Sequence, residues 1–154
     1  MELEKLNIYS ISLDLAEEVY EKVMIWKHFD RDTIGKQLVR SADSIAANIS
    51  EGFGRYHLND SKKFYYYSRG SLFETKTWLT KANRRKLIGN DFYQEKINEL
   101  EKLGKMLNAF ITSMSKNMAK EPLEEYKINN QNTNNQNTNN QQPTTNNQQL
   151  RTKN

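Results

Sequence analysis

The chain has 154 residues, two prolines and no cysteine, and no apolar run reaches the roughly 18 residues that a membrane span needs, so a single soluble domain plus a tail is expected. Without cysteine there is no disulfide framework and no thiolate zinc site; only His28 and His57 offer imidazole, so neither metal nor cofactor is expected. The net charge of +4 cannot by itself indicate a nucleic-acid partner, because Arg151 and Lys153 leave 21 basic against 19 acidic residues before Asn129, and any such case must rest on clustering.

Met1-Glu2-Leu3-Glu4-Lys5 alternates charge with leucine and lacks the apolar stretch of a secretory signal, so a cytoplasmic location is expected. Ile8, Ile11, Leu15, Val19 and Trp26 then fall near one helical stripe, with Asp14, Glu17, Glu18, Glu21 and Lys22 largely elsewhere. His28 to Thr33 is expected to turn. Asp30 or Asp32 can cap a second helix, whose apolar positions Ile34, Leu38, Ala42, Ile45, Ile49 and Phe53 step by three and four. Asn59 or Asp60 can cap a third, with Phe64, Ser71, Thr75, Trp78 and Ala82 inward. Asn90 caps a fourth, carrying Tyr93, Ile97, Leu100, Leu107, Ile111, Met114 and Met118 on a near-heptad seam.

No segment alternates like a strand, and short connections favour antiparallel neighbours, so positions 1–126 are expected to form an all-α, antiparallel up-down four-helix bundle. Gly35, Gly52, Gly70 and Gly104 interrupt helical patterns at a cost of about 1 kcal/mol each relative to Ala, which suggests close helix approach. From Asn129 onward the chain holds eleven Asn, six Gln and five Thr with Leu150 as its one aliphatic residue. Such a tract cannot bury enough apolar surface to offset its ordering entropy, so 127–154 is expected to be a disordered low-complexity tail.

Two features exceed what a minimal bundle needs. Arg40, Ser44, Asn48, Glu51 and Arg55 form a polar stripe on the second helix, roughly opposite its apolar one. Serine and asparagine are poor choices for a merely solvated face, so a packed polar contact competes with a wet surface; Arg40 or Arg55 pairing with Glu74 is one form of it. On the third helix, Lys62, Tyr66, Arg69, Phe73 and Lys76, continued by Thr80 and Arg84, interleave cations with aromatics about 180° from the expected core. Subunit contact is the first explanation for exposed aromatics. Single-stranded nucleic acid is the second, with bases on aromatic rings and phosphates on Lys81, Arg84, Arg85 and Lys86 beside the stripe.

Enzyme signatures are missing. Gly52-Phe53-Gly54 lacks the third glycine and preceding strand of a dinucleotide loop, and no phosphate-binding GxxxxGKS/T sequence occurs. Glu17 with Glu21, and Glu95 with Glu99, are carboxylate pairs without a Glu-x-x-His partner, and are expected to be solvated. His28 and His57 fall in expected turns.

The stretches RSADSIAANISEGFGR, Arg40 to Arg55, and FYYYSRGSLFETKTWL, Phe64 to Leu79, resemble the bacterial four-helix bundle proteins, also called 23S rRNA intervening sequence proteins. Arg40, Ser44, Ile45, Asn48, Ile49, Glu51, Gly52, Arg55, Gly70, Ser71 and Glu74 match the family pattern, and the similarity covers about Leu3 to Met118. The resemblance implies a homo-oligomer, a pentameric ring of bundles, whose founding members lie in reading frames within large-subunit rRNA insertions. A more distant analogy, the basic pentameric accessory protein of diversity-generating retroelements, brings a reverse transcriptase into view as a partner. Two departures stand out: Ala46 replaces a common proline, and Arg85-Lys86 replace a common Leu-Gly, which would shift the last turn to Gly89. The expectation is a non-enzymatic oligomeric scaffold contacting RNA or DNA through a basic surface; the alternative is an assembly module that binds only protein.

Overall fold

The computed structural model describes the backbone of residues 2–137 and the side chains of residues 2–116. A short 3-10 turn, Leu3–Lys5, precedes helix α1 (Asn7–Met24). A helical turn His28–Asp30 and a π-helical segment Arg31–Gly35 feed directly into α2 (Lys36–Phe53), followed by α3 (Leu58–Arg84) and α4 (Asn90–Asn137). No strand occurs among the described residues. α4 carries the backbone past the boundary expected at 126, and residues 138–154 of the expected tail lie outside the described residues. The chain divides after Lys116 into two units, the first of which holds the packed helices.

Contacts between successive helices step in opposite directions along the chain. Ser68 Oγ donates to the Ile45 carbonyl at 2.9 Å, while a Cβ on Gly52 would lie 3.0 Å from the Ser61 carbonyl. Along α3 and α4, Thr80 meets Tyr93 at 3.3 Å, Lys76 meets Glu101 at 2.8 Å, and the Tyr65 ring lies edge-on to Phe110 at 5.0 Å. Glu18 and Lys22 on α1 face Lys96 and Phe92 on α4. These registers make the neighbours antiparallel, as the short connections require. Val19, Ala42, Ile45, Ile49, Leu79, Leu100, Leu103 and Leu107 are sealed from solvent at the centre. Each large aliphatic side chain there stabilises the fold by about 1.5–3 kcal/mol relative to its exposed state.

The expected turn at His28 to Thr33 is helical instead. Asp30 and Asp32 therefore lie within helical turns, and no side-chain cap forms there. α2 runs unbroken through Ala46, which is buried.

The inner face of α3 also differs from expectation. Ser61, Tyr65, Ser68, Leu72, Thr75, Leu79 and Ala82 are buried, whereas Phe64, Ser71 and Trp78 are half-buried on the flank. Small hydroxyls hold core positions because they find carbonyl acceptors: Ser68 on α2, and Thr75 on Ser71 at 2.8 Å. Of the glycines, Gly35 and Gly52 do permit close approach. A Cβ on Gly35 would stand 2.6 Å from Val23 Cγ1, but one on Gly104 would make ordinary contact and one on Gly70 would meet nothing.

The α3–α4 turn does not shift to Gly89. Lys86 takes the left-handed conformation, φ 58°. Leu87 N–H reaches the Ala82 carbonyl and Lys86 N–H the Asn83 carbonyl, both at 2.9 Å, closing a Schellman motif in which glycine usually occupies the position of Lys86. At the end of α1, Trp26 is buried and its Nε1–H has no acceptor among the described residues.

Candidate functional site

Because the true core of α3 lies one register away from the expected one, the stripe of Lys62, Tyr66, Arg69, Phe73 and Lys76 sits about 100° from it, on the flank facing α4. The opposite flank, with Phe64, Ser71, Glu74 and Trp78, faces α2. Toward the outer ridge the rings are exposed, Tyr66 by 48%, Phe73 by 55% and Tyr67 on the far side by 58%, and Gly70 lies between them with open space above it. Large aromatics around an exposed mid-helix glycine have no role in the core of one chain.

Cations lie over the aromatic rings along this helix. Lys62 Nζ is 5.9 Å from the Tyr66 centroid, Arg69 Cζ 5.7 Å from Phe73, and Lys81 Nζ 4.3 Å from Trp78. A cleft of about 370 Å³ opens beside Phe73, Lys76, Thr77, Thr80, Lys81 and Arg84. Arg84, Arg85 and Lys86 are exposed at its end. Lys76 differs from the other cations because it pairs with Glu101, and that bond holds the Glu101 carboxyl below its ordinary range. Lys62, Arg69, Lys81, Arg84, Arg85 and Lys86 form no ion pair among the described residues.

The polar stripe of α2 is knitted along its own helix. Ser44 Oγ donates to the Arg40 carbonyl at 2.8 Å, Asn48 Nδ2 to the Ser44 carbonyl at 2.7 Å and to Ser71 Oγ on α3 at 3.5 Å. Arg55 pairs with Glu51 and lies over the Phe64 ring. The expected pairing of Arg40 or Arg55 with Glu74 does not form; Glu74 instead accepts Trp78 Nε1–H at 3.2 Å and remains exposed. Gly52 is buried under α3 and acts in packing. The motif residues Arg40, Ser44, Asn48, Glu51, Arg55, Ser71 and Glu74 thus share one half-exposed face across α2 and α3, bordered by Gly70.

The sequence reading missed the strongest charge cluster. Lys96 is fully buried, and its Nζ bonds Glu95 Oε1 at 3.1 Å, Glu99 Oε1 at 2.9 Å, and Glu18 across on α1. Burial pushes the ammonium down, but the hydrogen bonds to Glu18, Glu99 and Glu95 outweigh it and hold the pKa above its ordinary 10.5. Glu95 and Glu99 are therefore not a free solvated pair. The three carboxylates are close enough to share a metal ion, but the lysine ammonium already bonds all of them. One signal was available: Lys96 lies four residues before Leu100 and seven before Leu103, on the same seam.

These features define an all-α helical bundle with one buried, internally paired ammonium and one open face of aromatics and cations. The chain belongs to the 23S rRNA-intervening sequence protein family, whose signature matches residues 4–109. A solved structure, a protein of unknown function from the S23 ribosomal protein family of Bacteroides thetaiotaomicron VPI-5482, is 24% identical over 68% of this chain and 97% of its own, with a TM-score of 0.62. That likeness concerns the fold. No curated protein sequence matches the chain.

Proposed function

We propose that the protein is a non-enzymatic homo-oligomeric scaffold of the cytoplasm that contacts RNA or DNA through the basic edge of α3. The observation that supports it is the unpaired cation series Lys62, Arg69, Lys81, Arg84, Arg85 and Lys86 running beside exposed aromatics, with the cleft at Phe73 and Arg84 between them. Rings supply stacking platforms and the cations supply phosphate contacts. Lys76 contributes only by leaving Glu101. The α2–α3 motif face, with Gly70 at its border, serves assembly in this reading.

Fluorescence anisotropy of labelled single- and double-stranded RNA and DNA across salt concentrations tests the nucleic-acid half. Affinity should fall steeply with salt, and Arg84→Ala with Arg85→Ala should reduce the log-log slope by about 0.7 per lost contact on a single strand or 0.9 on duplex DNA. No binding by the intact oligomer at low salt, or an unchanged slope, returns the protein to the alternative of a protein-only assembly module. Gly70 favours that alternative specifically, because an open mid-helix glycine is useful where another backbone approaches. Light scattering tests assembly in both readings: a monomer at tens of micromolar, on the order of weak-interface affinities, removes it.

A further inference from the structure

A cleft of about 650 Å³ opens where the end of α1, the π-helical segment and the start of α2 converge. Its volume falls within the roughly 300–1,000 Å³ of small-molecule sites, which occur in bundles between helices. We propose that this cleft binds a small amphipathic monoanion, a carboxylate on an aromatic or alkyl body, with the body against Tyr20 and Met24 and the carboxylate against Lys36 and Arg40.

The two walls differ in chemistry. Tyr20 and Met24 stand one turn apart on α1, each 45% exposed, and leave apolar surface in water that a ligand body would cover. Val23 and Val39 continue that surface toward the core. On the α2 wall, Lys36 and Arg40 are also one turn apart, about 5–6 Å at their Cβ atoms, and so converge on one face. Neither forms an ion pair or a side-chain hydrogen bond among the described residues. Arg31 reaches only the Met24 carbonyl, at 3.5 Å.

Charge selects a monoanion. Beside His28, the cleft lining carries three cations, Arg31, Lys36 and Arg40, against two carboxylates, Asp32 and Asp43, an excess of basic over acidic side chains that favours a singly charged anion. The π segment builds the floor: Gly35 lets Val23 approach so closely that a Cβ would stand 2.6 Å from its Cγ1. Short π-helical turns inside helices frequently accompany functional sites.

The test is an NMR titration of the full chain with 4-phenylbutyrate and with octanoate, with 4-phenylbutyramide as the neutral control. Expected are saturable shifts centred on Met24 and Val39 with either acid, and binding of the amide weaker by about tenfold or more, since charge-assisted contacts are lost. Lys36→Gln and Arg40→Gln should each weaken the acids by roughly five- to tenfold and leave the amide unchanged. Met24→Ala should weaken acid and amide alike. Arg40 also belongs to the motif face, so light scattering accompanies each variant, and Lys36→Gln, which lies off that face, decides if Arg40→Gln changes the oligomer. The proposal is overturned by absence of shifts at about 10 mM, by shifts centred elsewhere, or by an amide that binds as well as the acids.

Discussion

Lys96 and the cations of α3 have the same side-chain chemistry and opposite circumstances. On the α1–α4 seam, one ammonium with 1% of its side chain exposed is consumed by three carboxylates of its own chain. On α3 and the turn that ends it, six cations beside exposed aromatics have no carboxylate partner among the described residues. A charge already satisfied inside the fold is architecture, because exposing it to a partner would first break bonds that hold two helices together. An unpaired charge costs little to hydrate and can be given to a partner on contact. The division also explains why Lys76, paired with Glu101, is a poorer candidate for phosphate than Arg84 on the same face.

The largest effect that could break this division is at Lys96. Lys96→Ala should lower stability by about 3 kcal/mol in urea denaturation at pH 7, through a lost buried partner and the repulsion left among three partly wet carboxylates. A loss below about 1 kcal/mol would place the cluster with ordinary surface charge. The folded pKa of Lys96 is raised, so its contribution is full below the ordinary 10.5 and is lost only as pH climbs through the higher folded value. The gap between parent and variant should therefore be the same at pH 7 and pH 9.

Next, one substitution at two glycines should change sign between the regions. Gly35→Ala drives a methyl into Val23 and should cost about 1–2 kcal/mol. Gly70→Ala meets nothing and should stabilise the isolated bundle by roughly 0.5–1 kcal/mol. If a neighbouring copy uses the space above Gly70, light scattering will show a weaker oligomer in the same variant whose thermal unfolding has improved. Lys86→Gly separates fold from charge in another way. Releasing the left-handed strain should raise stability by about 1 kcal/mol, seen as a higher melting temperature, while one cation is removed from the open face. A fall in stability would mean that the Lys86 side chain makes a contact worth more than its backbone strain.

Helix content and helix order could be anticipated because apolar periodicity carries them, and α1, α2 and α4 keep most of their expected inner residues. α3 shows where periodicity fails. Phe64 and Trp78 are large and apolar, so they attract assignment to the core, while Ser61 and Ser68 look like surface. The actual inner face is decided by hydroxyls reaching carbonyls on neighbouring turns and helices, a contact that no hydropathy pattern records. Lys96 was hidden for the same reason: its partners lie partly on α1, 78 residues away in sequence. The cleft between α1 and α2 was hidden by the expectation of a turn at His28 to Thr33, since its π-helical floor forms there. In contrast, the motif face was visible as an ordered run of Arg, Ser, Asn and Glu, although its expected ion pair to Glu74 was not the one that formed.

The two tryptophans stand on opposite sides of the same division, which gives the protein two internal optical reporters. Trp26 is enclosed in the core with its indole N–H unsolvated, so its emission should lie to the blue and resist a charged aqueous quencher until the bundle unfolds. Trp78 donates to exposed Glu74 and lies beneath the Lys81 ammonium, so its emission should lie to the red and respond when anything covers the α3 face. Trp26→Phe and Trp78→Phe each leave one channel. With both, docking on the open face and loss of the core can be followed separately in an otherwise unlabelled chain.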